Sequence, residues 1–169
     1  MTVSVRHLTS PSTDEVDAVA AVFDQYRVHY GEASDAEQSA SWLRENTQAG
    51  RVQTFVAEDR TKLVGFATTV HMPASLRLAH YWQIRDLFVL PLHRGLGIGG
   101  ALLGAVRAAA VESGAIRLAL QTEEENGPAL ALYADAGSIA LRPVTARFIP
   151  CYAWANRGAS DMQVWFRQA

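Results

Sequence analysis

The sequence predicts an α/β domain in which helices pack on a mixed, mostly antiparallel sheet. Three observations carry that prediction. Short apolar or alternating runs recur between stretches of helical periodicity. Two of those runs, 52–58 and 62–71, flank only the polar turn Asp59-Arg60-Thr61 and read as an antiparallel hairpin. Residues 84–121 then read as strand, glycine-rich loop, helix and strand, which makes a parallel pair joined by a right-handed crossover. At 169 residues the chain suits a single domain, residues 1–169, with a full core.

The elements follow in order. Residues 2–8 alternate, with Val3 and Val5 on one side and Ser4 and Arg6 on the other, and predict a first strand that Ser10-Pro11-Ser12 breaks. Val16, Val19, Ala20, Phe23 and Tyr26 recur at helical spacing and predict a helix over 14–26, ended by Tyr30-Gly31. Ser34 or Asp35 can cap a second helix to about Gln48, with Trp42 and Leu43 turned inward. After the hairpin, residues 80–89 form the next strand, antiparallel to the one before it. In the helix after the glycine loop, Ala101, Leu102, Ala105, Val106 and Ala109 make one apolar face, and Gly114 stops it. Residues 116–121 are a strand and 126–136 a helix closed by Gly137. Two or three late strands lie within 139–141, 146–155 and 162–167.

Composition excludes several function classes. The net charge is −2 and Lys62 is the only lysine, with arginines scattered rather than striped, so no nucleic-acid partner is expected. No apolar run spans a bilayer, so no membrane partner is expected, and residues 1–11 lack the features of a secretory signal. Cys151 is the sole cysteine, which rules out an intramolecular disulfide and fits a cytoplasmic setting. No spacing of ligand residues points to a metal.

The chemistry is concentrated in Asp86-Leu87-Phe88-Val89-Leu90-Pro91-Leu92-His93-Arg94-Gly95-Leu96-Gly97-Ile98-Gly99-Gly100. A strand runs to a proline stop, then a glycine loop, then a helix start. The helix N-terminus carries bare N–H donors and a partial positive charge that attract phosphate. Glycines at 95, 97 and 99 admit close approach and positive φ. Arg94 adds a cation able to bind two phosphate oxygens. A diphosphate is the ligand this pattern implies.

Gly95, Gly97 and Gly100 also satisfy Gly-x-Gly-x-x-Gly, with Glu123 near the end of the next strand, as in a dinucleotide-binding unit. Context argues against that reading. Two helices and a hairpin precede the motif, and fewer than fifty residues follow Gln121. No Gly-Lys-Ser/Thr follows, which excludes a Walker loop. An ordinary turn needs one glycine, not four beside an arginine.

The stretch Leu87-Phe88-Val89-x-Pro91-x-x-Arg94-Gly95-x-Gly97-Ile98-Gly99-x-x-Leu102-Leu103 resembles the acetyl-CoA signature of the GNAT superfamily of N-acetyltransferases. A second landmark is Asn126, followed seven residues later by Tyr133 and then by Gly137. The order of elements fits from Val3 to about Tyr152. The resemblance implies a GNAT-like fold in which the central parallel pair splays to admit pantetheine. Phe88 and Val89 would offer backbone groups to it. Arg94, Gly95, Leu96, Gly97, Ile98, Gly99 and Gly100 would hold the pyrophosphate, and Asn126 would face the pantetheine or the substrate. The N–H of Val89 would meet the developing oxyanion, and Tyr133 would return a proton to the departing thiolate. From spacing alone Tyr133 is rather a helix residue packing on the sheet, and it is the paired Asn126 and the glycine loop that turn the balance to the acid.

The acceptor amine must lose its proton, and Asp86 is the nearest acid. It either serves as base or pairs with Arg85 or a neighbouring arginine as a structural charge. Diamine acetyltransferases of the superfamily place two adjacent acids here, whereas this chain has Arg85, which argues against a polyamine. Gln83, His80 and Glu123 are lesser candidates. Tyr26, His29, Tyr30 and Trp82 either line the acceptor pocket or pack as core and surface aromatics. The implied activity is direct transfer of acetyl from acetyl-CoA, with no metal, to a primary amine of a small molecule. The alternatives are acetylation of a protein amine, a non-catalytic acyl-CoA-binding module and a nicotinamide enzyme. Trp154, Trp165 and Phe166 suggest a homodimer contact through the late strands.

Overall fold

The expected hairpin is present in the computed structural model, which describes residues 3–137, 139–141 and 151–155. The chain forms two units: residues up to Val70 with Arg85–Val106, and His71–Ile84 with the residues from Arg107 onward.

The first unit opens with β1 (Val3–Leu8), α1 (Thr13–His29), α2 (Ala36–Gln48) and β2 (Gln53–Asp59). It also takes most of β3 (Lys62–Ala74), the end of β4 (Ala79–Val89) and the first turns of α3 (Ile98–Glu112). Its strands lie in the order β1-β2-β3-β4. β2 and β3 pair antiparallel from Gln53↔Thr69 to Asp59↔Lys62, so the turn is Arg60-Thr61. Thr54–Ala57 and Val64–Thr69 are buried without a break, as in strands covered on both faces. The α1 stripe of Val16, Val19, Ala20 and Phe23 packs with Leu43, Val56, Phe66 and Phe88.

Ser12 opens α1 with a capping box: its Oγ accepts from Glu15 N, and Glu15 Oε2 accepts from Ser12 N at 2.9 Å. The junction of α1 and α2 is tied by buried Asp24. Its carboxylate accepts from Ser34 Oγ at 2.6 Å, Asp35 N at 2.9 Å, Ser39 Oγ at 3.0 Å and Arg27 at 3.3 Å. The Ser34 and Asp35 bonds, with smaller help from Ser39 and Arg27, hold this carboxyl below the usual carboxylate range.

Two side-chain expectations change. Leu43 is buried, but Trp42 is 44% exposed and stacks on Phe23. Consecutive helix residues are about 100° apart, and Leu43 holds the core position. On α3, Ala101 is exposed, and the buried stripe is Ile98, Leu102, Leu103, Val106 and Ala110. The larger side chains set the inward direction, not the alanines.

The second unit holds the β3 and β4 ends joined by the turn Ser75–Arg77, with β5 (Arg117–Gln121), α4 (Gly127–Asp135), β6 (Ile139–Leu141) and β7 (Cys151–Ala155). Its strand order is β4-β5-β7-β6. β4 and β5 are parallel, in the register Trp82↔Leu118 and Gln83↔Ala119. β5 continues two residues past that last pair, to Gln121. β7 is antiparallel to both β5 and β6. The sheet is therefore mixed, as expected. A strand within 162–167, and the contact residues Trp165 and Phe166, lie outside the described residues, as does the side chain of Trp154.

Candidate functional site

The glycine loop follows β4 directly. Pro91–His93 make one 3-10 turn and Arg94 is extended. Gly95 and Gly97 then take φ of +74° and +77°. A Cβ on either would meet no protein atom within 4 Å, so backbone conformation alone selects glycine there. Gly99 and Gly100 already belong to the first turn of α3, so the alternation of left-handed glycines stops at the second. Ile98, buried, anchors the loop in the core. The first backbone bond entering α3 is Ala101 N to Gly97 O at 3.0 Å. Among the described residues, no hydrogen bond engages the amides of Gly95, Leu96, Gly97, Ile98, Gly99 or Gly100. The result is a run of amide donors at the positive end of a helix, a cradle for a diphosphate.

Arg94 is anchored rather than loose. Its Nε donates to the Val89 carbonyl at 3.0 Å, and its guanidinium sits over the Phe88 ring, 5.4 Å from the centroid. Its two terminal nitrogens have no hydrogen-bond partner among the described residues, so they remain for an anion.

The strand end corrects one expectation. Leu90 N donates to Val64 O of β3 at 2.9 Å. A Cβ on Gly65 would lie 2.8 Å from Phe88 O. Peptide groups alternate sides along a strand. Phe88 therefore turns its backbone toward β3, while Val89 turns its N–H and C=O the other way. Phe88 does not offer backbone groups to a ligand; it contributes its ring beneath Arg94. Of the Val89 groups, the carbonyl carries the Arg94 bond.

Asp86, the expected base, is held on both carboxylate oxygens. Its Oδ1 accepts from Tyr26 Oη of α1 at 2.8 Å, and its Oδ2 accepts from Thr68 Oγ1 of β3 in a short bond. Among the described residues it makes no ion pair with Arg85 or any other arginine. Burial, and then the Asp86 charge, push the Tyr26 phenol well above its usual range, with Arg85 acting weakly the other way. Tyr26 is therefore a proton-bearing donor at neutral pH. Its ring packs edge-on against Tyr30 at 5.0 Å, and against Phe66 and Phe88, each at 5.7 Å. His29 lies against Tyr30 and Phe88. Tyr30 is half exposed.

In the second unit, Asn126 caps α4, its Oδ1 accepting from Ala129 N at 3.3 Å. Tyr133 is a buried residue of the same helix. Trp82 is only 3% exposed and packs on His71 at 4.4 Å, so it is core and not a pocket wall. Its neighbour in register, Ile84, is buried on the same face. His80 Nε2 sits 3.4 Å from Ser113 Oγ. Glu123, Glu124 and Glu125 are exposed, as a solvated loop is.

The sequence pattern of the Acetyltransferase (GNAT) family matches residues 17–137. The chain belongs to that family. An uncharacterised N-acetyltransferase of Bacillus subtilis, YhfO, is 32% identical over 131 residues, covering 78% of this chain and 88% of that protein. The fold agrees with solved structures. A probable acetyltransferase superposes with a TM-score of 0.72 at 24% identity, over 86% of this chain and 92% of the other. YncA, a putative acetyltransferase of Salmonella typhimurium solved with its cofactor acetyl-CoA, gives 0.71 at 16% identity, over 95% and 98%.

Among the residues of this acetyltransferase, sequence reasoning missed Thr68. Its polarity within a buried strand run was the available signal, because a buried hydroxyl must find a partner.

Proposed function

We propose that this acetyltransferase moves the acetyl group of acetyl-CoA to a primary amine of a small molecule, by direct attack in a ternary complex. The observation that carries this reading is the run of unbonded amides from Gly95 to Gly100 at the start of α3. Bound acetyl-CoA supplies an acyl group activated as a thioester. Arg94 and the loop amides hold its diphosphate, and the Val89 N–H receives the charge that develops on the carbonyl oxygen. Asp86 takes a proton from the incoming ammonium group. Tyr133 gives a proton to the leaving sulfur. Asn126 turns its side-chain amide to the pantetheine or the acceptor. Tyr26 and Tyr30 stand on the acceptor side.

A carboxylate without an arginine partner among the described residues supports a singly charged amine over a polyamine, with Arg85, whose charge reaches Tyr26, disfavouring a second cation. No described helix is long and apolar enough to cross a membrane. The charge balance and the lone cysteine support a cytoplasmic setting, and Trp154, Trp165 and Phe166 support a homodimer of single N-acetyltransferase domains.

The test is release of free thiol from acetyl-CoA by purified protein across a panel of amines, with calorimetry against acetyl-CoA and NAD(H). Amine-dependent release is the expected result. Binding of acetyl-CoA without release on any amine marks a regulatory binding module. Release only with peptides marks a protein acceptor.

A further inference from the structure

We propose that Tyr26 and Thr68 are positioning residues for Asp86, their two hydroxyls fixing the plane of its carboxylate and leaving a lone pair on each oxygen for the acceptor amine. The proposal rests on the reading of Asp86 as the base. The argument begins with how a carboxylate can be held. It has about four acceptor sites on two oxygens. An arginine fork would fill two of them and neutralise the charge. Here one neutral hydroxyl binds each oxygen, Tyr26 on Oδ1 and Thr68 on Oδ2. The group is oriented, yet its negative charge is not spent on a cation.

Both donors are themselves immobile. Thr68 is fully buried within β3. Tyr26 is clamped between the rings of Phe23, Tyr30, Phe66 and Phe88. Rigid support of this kind keeps a reacting group within the narrow geometry that proton transfer needs. Other charged or titratable groups around Tyr26 and Phe88 are His29 and Tyr30 of α1 and, acting on Tyr26, Arg85 of β4. β3 brings Thr68, which does not titrate.

The proton movements balance. An N–H bond of the ammonium breaks, its electron pair stays on nitrogen, and an O–H bond forms on Asp86. The freed pair forms a bond to the thioester carbon, and the carbon–sulfur bond breaks with its pair leaving on sulfur. A second nitrogen proton leaves to solvent as the amide forms, and Asp86 returns its proton to solvent. The sulfur takes one proton from Tyr133, which is restored from solvent, so one net proton is released.

The experiment measures kcat, both KM values and the pH profile of kcat/KM with one accepted amine, for wild type, Thr68→Val, Thr68→Ser, Tyr26→Phe and Asp86→Asn. Thr68→Val keeps shape and removes a donor, and Thr68→Ser returns it. The expected result for Thr68→Val and Tyr26→Phe is a fall in kcat of about tenfold with acetyl-CoA KM unchanged. Thr68→Ser restores kcat. A merely structural role would lower the melting temperature of Thr68→Val and Tyr26→Phe while leaving kcat in place, and that would overturn the proposal. Should Thr68→Val fail to fold, Tyr26→Phe carries the same test. Asp86→Asn separates the two levels. A loss of about 100-fold or more supports the base, whereas near-wild-type kcat removes the base and the positioning with it.

Discussion

The glycine turn and the Asp86 corner, both in the first unit, solve opposite problems. The turn presents donors, from Gly95 to Gly100, that no described residue bonds. The corner presents an acceptor whose two oxygens the protein already holds, through Tyr26 and Thr68. A phosphate-bearing ligand is large and brings many oxygens, so the site for it can be built from backbone alone. On the proposed reading Asp86 takes an ammonium proton along one direction, which fits an acceptor aimed by side chains. The first device is local in sequence. The second joins residues 60 and 18 positions apart.

The largest expected effect tests Tyr133 as the acid. Tyr133→Phe lowers kcat by about 100-fold or more, with acetyl-CoA affinity unchanged by calorimetry. Equal turnover in the variant breaks the acid assignment while leaving the glycine turn intact. Next is the turn itself. Gly97→Val forces a β-branched residue into a left-handed backbone, at about 1–2 kcal/mol. Acetyl-CoA affinity should fall by about tenfold or more, since 1.4 kcal/mol is a factor of ten, while the amine KM holds. A change in amine KM alone would mean that the two regions are not divided as described.

The same contrast explains what was legible. Arg94-Gly95-x-Gly97 announces itself because left-handed glycines and a helix start are encoded within a few residues. The hairpin and the parallel register follow from periodicity and turn residues. The orientation of single side chains does not. Trp42 and Leu43 looked equally apolar, and only packing against Phe23 and the sheet chose between them. Ala101 lost its inward place because Leu103 has more surface to bury. Phe88 and Val89 are neighbours in a strand, and which one turns its backbone toward β3 depends on the register at Leu90 and Val64. Thr68 and Tyr26 meet Asp86 only after β3, β4 and α1 are packed. Ser12-x-x-Glu15 was readable as a capping box, but its position after Pro11 made it look like a strand stop alone.

The smallest expected effect sharpens the comparison by using a second held carboxylate. Asp24 is fixed by Ser34, Asp35, Ser39 and Arg27, away from the acceptor side, so its hydrogen bonds support the α1–α2 junction and not catalysis. Its native carboxyl lies below the usual range, so the unfolded chain takes up the proton first as pH falls. The stability it contributes is therefore complete above the ordinary carboxylate value of about 4. It is lost as pH drops through the depressed native value. Asp24→Asn should lower the melting temperature by several degrees at neutral pH, and the gap from wild type should close below about pH 4. The acid limb of kcat/KM should not move. A gap that persists unchanged into strong acid would show that the junction uses the shape of Asp24 and not its charge. A shifted acid limb would show that a carboxylate outside the acceptor corner also governs proton transfer, and the division between holding and reacting acids would fail.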